Sequence, residues 1–386
     1  MKILIIHNKY GKHSGEETVV YFQIKLLEEA GHKVVTYFRS SEELETMFLG
    51  KLKALIFSIF NPKSFRDLKK IIKAEQPDLI HIHNLYPLIS PSVLPYLKTF
   101  KLPIIMTVHN YRLLCPNGLF FTKNKICEKC TGKGKELNAI INNCEKSIFK
   151  SFGYAARNFT ARLFKFYTKN VDYFLCLTEF QKIKLIKNGF DESKVLVINN
   201  VCEQVEVTAN TQIGNQYIGY VGRISEEKGI STILSVAKQM PNVNFKLAGS
   251  VHPKYKHIKD KYKNVQLLGF LSNDELLSFY KNSKFIIFPS ICYETFGLSL
   301  VEAMSQKCAI IASDIAGVPE IVEHDKTGLL FKPGNTEDLR KKILYLLEHP
   351  QIADKMGKKG YKKLNDKFRS QHYYKNLIEA YNKAML

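Results

Sequence analysis

The feature that most constrains this chain is a pattern that occurs twice, in which short apolar runs alternate with longer segments of helical periodicity. Such runs have the length of buried strands, and strand–helix alternation predicts parallel sheets covered by helices. The strands predicted in the first series are Ile3–His7, Lys33–Phe38, Leu79–Ile82, Ile104–Val108, Tyr173–Leu177 and Val195–Ile198. Those predicted in the second series are Tyr217–Val221, Phe245–Ala248, Val265–Leu268, Phe285–Phe288, Ala309–Ala312 and Leu329–Phe331.

A polar segment separates the two series and marks a domain boundary. Residues 199–215 have the composition of a loop and form a candidate linker. We therefore predict an α/β protein of two Rossmann-like domains facing each other across a cleft. The first comprises residues 1–199 together with a C-terminal helix at 368–386, and the second comprises residues 200–367. Because open parallel sheets bind ligands at the carboxyl ends of their strands, the functional residues should follow strands.

The charge of the chain favours an anionic partner. Lys and Arg number 57 against 36 Asp and Glu, a net charge of +21. Nucleic acid, anionic lipid and a phosphorylated substrate all fit such an excess, but no nucleic-acid-binding signature is found, so no nucleic acid is expected. No apolar run approaches the ~20 residues of a membrane span, and the apolar start of the chain is short for a signal peptide. These features predict a cytoplasmic protein.

The most informative motif, CYETFGLSLVEAMSQKCAIIASDIAGVPEIV, covers Cys292–Val322 and follows a predicted strand. Glu294 lies in a loop, and Glu302 lies on a helix that should begin near Gly297. Carboxylates accept hydrogen bonds from vicinal hydroxyls such as those of ribose or a sugar, and amides at the start of a helix suit phosphate. The alternative is a helix with two incidental acids, since pairs of Glu are common on helices.

A second motif, YIGYVGRISEEKG, covers Tyr217–Gly229. Its predicted strand ends at Gly222, where a glycine lets the backbone approach a ligand closely. Arg223 can hold phosphate oxygens with its planar fork, and Lys228 adds a point charge. A strand followed by a solvated turn is the alternative interpretation.

In the first domain, the segment KYGKHSGEE follows the first predicted strand. It lacks the dinucleotide fingerprint G-x-G-x-x-G, which counts against an oxidoreductase. Gly15 and Glu16 should begin a helix there. His109 follows another predicted strand, where it can bind a ligand by a hydrogen bond or serve a structural role.

Three stretches together resemble the retaining glycosyltransferases of family 4, which have the GT-B fold. They are Gly222-Arg223…Lys228-Gly229, Glu294-Thr-Phe-Gly-Leu…Glu302-Ala and Gly317-Val-Pro-Glu-Ile. The resemblance covers essentially the whole chain and is most specific in its C-terminal half. It implies a nucleoside diphosphate sugar, UDP- or GDP-linked, as the donor.

The resemblance also implies roles for individual residues. Glu302 would bind the ribose hydroxyls of the donor, and Glu294 would contact the donor sugar. The amides around Phe296, Gly297 and Leu298 would assist Glu294.

The diphosphate would be held by Gly222, Arg223 and Lys228. Negative charge grows on the diphosphate as the glycosidic bond breaks, so cations placed there accelerate the reaction. No Asp-x-Asp motif is placed to bridge a metal and the diphosphate, so no catalytic metal is expected.

His109 matches a family histidine near the donor sugar and completes a predicted catalytic set with Arg223, Lys228 and Glu294. Asn110 stands where the family frequently has Asp. On the acceptor side, Gly15 and Glu16 lie in a loop where Gly-Gly is common.

Four cysteines, which we call the four-cysteine cluster, fall within thirty residues: Cys115, Cys127, Cys130 and Cys144. Four thiolates can close a tetrahedral zinc site, which would be structural because it leaves no open position. The alternative is a loop of reduced, unliganded thiols.

The segment Lys146–Asn170 predicts a helix with one apolar face and with basic residues largely off it. The face comprises Phe149, Phe152, Ala156, Phe159, Leu163 and Phe166. A basic amphipathic helix can lie on an anionic membrane. We favour the other interpretation, in which the helix packs on the sheet and has a solvated basic edge.

These inferences predict a retaining glycosyltransferase whose acceptor is a lipid-linked glycan of a surface polysaccharide, met at the inner face of the membrane. A small soluble acceptor is the alternative, for which the basic charge would be incidental. A GT-B sugar-nucleotide epimerase and a non-catalytic protein that binds a sugar nucleotide or an anionic surface are the alternatives to a transferase.

Overall fold

The computed structural model describes residues 1–10, 15–46, 50–132, 134–202 and 217–386. Its contacts divide the chain into two compact units: a first unit of residues 1–123, 127–199 and 373–386, and a second unit of residues 124–126 and 200–372. Most of the predicted linker at 199–215 lies outside the described residues. Within the described ranges, no helix combines the length and the apolar character needed to span a membrane.

The first unit is built on six parallel strands in the order β2-β1-β3-β4-β7-β8. Two short strands, β5 and β6, form a separate ribbon. The strands that precede residue 200 in the chain are β1 Lys2–Lys9, β2 Lys33–Ser40, β3 Leu79–Asn84, β4 Ile104–Val108, β5 Phe121–Thr122, β6 Lys125–Ile126, β7 Tyr173–Cys176 and β8 Val195–Val197, of which β6 lies in the short stretch assigned to the second unit. The central strands β3 and β4 are buried along their whole length, which explains their nearly continuous apolar sequence.

Helices connect these strands, and one predicted helix is divided into two. The chain turns between α7 and α8 because Lys165 adopts the left-handed conformation, with φ of 54°. The helices are α1 Gly15–Glu29, α2 Glu43–Thr46, α3 Gly50–Ile59, α4 Pro62–Glu75, α5 Val93–Lys98, α6 Leu137–Ile141, α7 Ile148–Leu163, α8 Phe166–Asn170 and α9 Glu179–Ile186.

The second unit repeats the architecture, with parallel strands in the order β11-β10-β9-β12-β13-β14. These strands are β9 Tyr217–Val221, β10 Phe245–Ala248, β11 Val265–Gly269, β12 Ser283–Phe288, β13 Ile310–Ser313 and β14 Leu329–Phe331. The helices that follow are α10 Ile230–Gln239, α11 Ile258–Lys261, α12 Asn273–Lys281, α13 Leu298–Ser305, α14 Val318–Ile321, α15 Thr336–Glu348, α16 Pro350–Lys367 and α17 Ser370–Met385.

The end of the chain returns to the first unit through α17. Tyr373 donates a hydrogen bond to Gln23 of α1 at 2.6 Å, and Gln23 donates to Tyr381 at 3.2 Å. Both tyrosines are buried, so α17 is part of the core of the first unit.

Each sheet reverses its winding direction at one point. In the first sheet the chain moves from β1 outward to β2 and returns on the other side with β3. In the second sheet the reversal lies between β9 and β12. Loops diverge at such a switch point, so the carboxyl ends of the two flanking strands leave room for a ligand.

Candidate functional site

The two motifs of the second unit follow β9 and β12, the strands that flank its switch point. Gly229 explains how closely their loops approach each other: its φ is +73°, and a Cβ there would lie 1.8 Å from the carbonyl oxygen of Pro289. A backbone hydrogen bond from Ile291 to Glu227, 3.0 Å long, also joins the loops. This packing brings Lys228 beside Glu294.

Lys228 and Glu294 form an ion pair with 2.6 Å between Nζ and Oε1, in which Glu294 is buried and the Lys228 side chain is 21% exposed. Ser290 donates a hydrogen bond to the same carboxylate oxygen. Burial by itself raises the pKa of Glu294, but the charge and hydrogen bond of Lys228 and the hydrogen bond of Ser290 outweigh it, so the pKa is lowered. Burial by itself lowers the pKa of Lys228. The negative charge of Glu294 outweighs this, so the pKa of Lys228 is raised. Both groups are therefore charged at neutral pH.

Arg223 lies at the mouth of the same loop. Its guanidinium is 3.1 Å from the carboxylate of Glu227, and its side chain is 57% exposed. The positive charge of Arg223 contributes to lowering the pKa of Glu294. The positive charges of Arg223 and Lys228 thus both act on Glu294. Their binding of a diphosphate stays a prediction.

Helix α13 begins directly after this loop. Gly297 precedes it with φ of 93°, and Leu298 is its first residue. The ring of Phe296 is fully buried against Phe368, with 5.7 Å between ring centroids, and anchors the start of the helix.

Glu302 lies on the second turn of α13 and binds a different partner from Glu294. The hydroxyl of Tyr280 in α12 donates a hydrogen bond of 2.7 Å to its Oε2. Burial raises the pKa of Glu302, and the hydrogen bond from Tyr280 offsets this in part. The two glutamates of the motif therefore have opposite electrostatic environments, which suits contacts with different parts of one ligand.

In the first unit, Gly15 is the first residue of α1, and Glu16 follows it. The hydroxyl of Tyr10 donates to Glu16 at 2.9 Å, and Arg112 in turn donates to the Tyr10 hydroxyl at 2.9 Å. Asn110 also approaches, with its amide 3.5 Å from Glu16. Burial raises the pKa of Glu16 to about 7, although the charge of Arg112 opposes this.

Four histidines lie near the carboxyl ends of β1, β3 and β4. His83 and His109 share a hydrogen bond of 2.8 Å between Nδ1 and Nε2. His81 contacts Tyr381 and Thr107 through its two ring nitrogens, at 2.7 and 2.8 Å. Burial lowers the pKa of His109 to about 3 and that of His7 to about 4, so both rings are neutral at pH 7.

Several buried polar atoms of this region have no hydrogen-bond partner among the described residues. They are both ring nitrogens of His7, Oε1 of Glu16, Nε2 of His83 and Nε of Arg112. His7 Nδ1 and Glu16 Oε1 are 3.8 Å apart. Buried polar groups are normally paired, so this cluster is suited to a polar ligand that bears hydroxyls.

The sequence motifs did not identify His7, Tyr10 and Arg112. One signal was available for His7, because it lies at the end of a predicted strand. Arg112 carried no such signal, since its contact with Tyr10 joins residues that are far apart in the sequence.

The four-cysteine cluster is drawn together in the first unit. Cys130 and Cys144 pack against Ala139 and Ala155. The pKa of Cys130 is raised to about 12, mainly by burial and in smaller part by the other three thiols. Within the described ranges, no three His, Cys, Asp or Glu side chains are arranged to hold a metal ion. The zinc site remains a prediction.

Two parallel six-stranded sheets, each with a switch point, are the architecture of the GT-B fold. Solved structures agree on the fold. A sucrose-phosphate synthase from Thermosynechococcus elongatus has a TM-score of 0.76 at 19% identity, covering 99% of this chain and 98% of that one. Anabaena HepE in complex with UDP-glucose has a TM-score of 0.67 at 18% identity, covering 99% of this chain and 100% of that one.

Sequence comparison identifies the family. The profile of Glycosyltransferase Family 4 matches residues 13–203, and that of Glycosyl transferases group 1 matches residues 207–363. An uncharacterized glycosyltransferase of Methanocaldococcus jannaschii is 28% identical over 95% of this chain and 94% of its own length. The Staphylococcus aureus capsular polysaccharide biosynthesis glycosyltransferase CapM is 26% identical over 53% of this chain and 52% of its own length. The chain belongs to glycosyltransferase family 4, which confirms the predicted fold and enzyme class.

Proposed function

We propose that this enzyme transfers a sugar, with retention of anomeric configuration, from a UDP- or GDP-linked donor to a hydroxyl of a glycan. The observation that carries the proposal is the ion pair of Lys228 and Glu294, with Arg223 beside it, at the switch point of the second sheet. HepE, which shares the fold, was solved with UDP-glucose, and this supports a nucleotide sugar as the donor.

In this proposal the second unit binds the donor. Arg223 and Lys228 stabilise the diphosphate as it leaves with increased negative charge, which lowers the barrier more than it strengthens ground-state binding. Glu294 keeps Lys228 charged in a buried position and accepts hydrogen bonds from the donor sugar. Glu302, with its raised pKa and its own partner Tyr280, binds the ribose hydroxyls.

The transfer step needs no protein nucleophile. The acceptor oxygen bonds to the anomeric carbon on the face from which the diphosphate departs, and the acceptor proton passes to a departing phosphate oxygen. His109 is neutral at pH 7, so it acts through a hydrogen bond and does not supply positive charge.

We propose that the first unit binds the acceptor through the cluster around Glu16. The unpartnered atoms of His7, Glu16 and Arg112 include both donors and acceptors, which is what a sugar hydroxyl requires. CapM acts in capsular polysaccharide biosynthesis, which supports a surface glycan as the acceptor. We propose that this glycan is lipid-linked and that the enzyme works in the cytoplasm at the inner face of the membrane.

The test uses the purified chain with UDP- and GDP-linked sugars. A thermal-shift screen identifies the donor, because a ligand stabilises the folded state according to its affinity. The proton NMR spectrum of the first product then gives its anomeric configuration. Retention supports the proposal, and inversion contradicts it. Donor turnover without any acceptor, leaving an isomerised nucleotide sugar, would favour the epimerase instead.

A further inference from the structure

Helix α7 has the reverse of the burial expected for a helix of a globular protein. Its large apolar side chains face solvent, and we call them the α7 apolar face: Ile148, Phe149, Phe152, Phe159 and Leu163. The buried side of the helix carries small or polar residues, among them Ser151, Gly153, Ala155, Asn158 and Ala161. The expected packing of the aromatic side on the sheet is therefore wrong for this helix.

The close packing of neighbouring helices explains the reversal. A Cβ at Gly153 would lie 3.1 Å from Leu55 of α3, and Ala155 packs with Ala139 of α6. Small residues are required where helices approach this closely. Arg157 is also buried, with its guanidinium 4.5 Å from the centre of the Tyr86 ring. The aromatic side chains thus remain on the outside of the unit.

Exposed apolar side chains recur along α7, and the neighbouring helix α6 carries two more. The residues of the α7 apolar face recur at helical spacing over 16 residues, which is about 24 Å of helix. On α6, Leu137 and Ile141 stand one turn apart and are 63% and 76% exposed. Exposed apolar patches of this kind mark protein or membrane interaction sites.

The charged residues within the α7–α8 segment are all basic. Residues 146–170 contain no Asp or Glu. Four lysines are exposed there: Lys146 before α7, Lys150 within it, Lys165 between α7 and α8, and Lys169 within α8. Lysines beside large apolar side chains match an anionic lipid surface, where the ammonium groups meet headgroups and the apolar side chains enter the acyl boundary.

We propose that the α7 apolar face inserts into the interfacial layer of an anionic phospholipid bilayer. This deepens the proposed function, since it rests on a lipid-linked acceptor and names the surface that reaches the lipid. Like charge disfavours a second copy as the occupant, because the same lysines would meet across the contact.

Insertion changes the expected response to salt. Binding by lysines alone is screened at high ionic strength. Buried apolar area adds a component that salt does not screen, so binding to anionic vesicles is weakened by salt without being abolished.

The chain contains no tryptophan, which allows a specific probe. Phe152→Trp places the only indole on the α7 apolar face, and the matched control Phe270→Trp places it at a 61% exposed position in the second unit. Vesicles of phosphatidylglycerol and phosphatidylcholine should shift the emission of the first variant to shorter wavelength and leave the control unchanged. No shift for Phe152→Trp would overturn the proposal.

A second pair of variants measures the energetic contribution. Phe152→Glu should weaken vesicle partition at least about tenfold, and Phe270→Glu should not change it. Equal partition of Phe152→Glu and the parent chain would contradict insertion, as would complete release by salt. A mass that doubles with concentration, with the indole of Phe152→Trp already shielded before vesicles are added, would assign the face to a second copy.

Activity separates this proposal from the one on which it rests. Because Phe152 is exposed and remote in sequence from the donor motifs, Phe152→Glu should transfer sugar to a free glycan acceptor at the parent rate. Loss of vesicle binding with unchanged transfer supports a docking role. Absence of transfer by the parent chain with every donor would refute the proposed function, whatever the vesicles show.

Discussion

Replacing Lys228 by Met tests whether the pair with Glu294 organises the donor site. The substitution keeps most of the length of the side chain and removes its charge. The Glu294 carboxylate then stays buried without this cation, while the hydrogen bond from Ser290 remains. Breaking a buried ion pair from one side costs about 3–5 kcal/mol. For a unit of this size, that corresponds to a fall in the melting temperature of roughly 6–20 °C.

A double-mutant cycle separates the pair from other effects of the substitution. Glu294→Gln removes the carboxylate charge, so Lys228→Met/Glu294→Gln should be more stable than Lys228→Met alone. Turnover should behave differently, because the diphosphate loses a cation in both variants that lack Lys228. We expect kcat/KM to fall about 10²-fold or more in each of them.

The pH dependence follows from the directions of the pKa shifts. The lowered pKa of Glu294 means that its stabilisation is present above the unfolded pKa and is lost as pH falls through the folded value. The raised pKa of Lys228 means that its stabilisation is lost only as pH rises above the ordinary lysine range. In Lys228→Met, burial should raise the pKa of Glu294 because the cation that lowers it is gone. The stability difference between Lys228→Met and the parent should therefore be greatest at neutral and mildly alkaline pH and shrink as pH falls, where the carboxyl of the variant takes up a proton before that of the parent.

Thermal unfolding and steady-state kinetics of the four proteins provide the measurement. Strictly additive effects of the two substitutions on stability would mean that the pair does not form in the free enzyme. Full turnover by Lys228→Met would remove Lys228 from the catalytic set.

Three further predictions concern the remaining site residues. Glu302→Ala should weaken donor binding while Arg223→Ala should mainly lower kcat, and wild-type kinetics for both variants would contradict the site assignment. Burial raises the pKa of Glu16 to about 7, so the folded state binds more protons than the unfolded state between about pH 4.5 and pH 7. Stability should therefore decline as pH rises through that range, and pH-dependent unfolding of Glu16→Gln should show no such decline. An equal decline in the parent and in Glu16→Gln would refute this role of Glu16. The four-cysteine cluster should hold about one zinc ion per chain by elemental analysis, and a metal-free protein with four titratable thiols in that cluster would exclude the site.

Many strands and the two motifs of the second unit could be predicted from local patterns in the sequence. The strands β4, β9, β10 and β14 have the predicted bounds, because a parallel strand buried on both faces is read directly as an apolar run. The Glu294 motif and the Arg223 loop could be identified because glycines and charged residues directly follow such strands. These are short-range features, and the sequence alone determined them.

Other features depended on contacts between distant segments. The cluster of His7, Glu16 and Arg112 joins the ends of different strands, so no spacing in the sequence indicates it. The partner of Glu302 is Tyr280 on another helix, and only packing selects it.

Helix α7 shows the distinction most directly. Its sequence predicted a helix with one aromatic face but did not determine which face would be buried. That choice follows from the packing of α3 and α6 against the side of α7 that carries Gly153 and Ala155, where little space is left for a larger side chain. The periodicity of a helix reports that two faces differ, whereas the direction in which each face points is decided by the volume that the neighbouring elements leave.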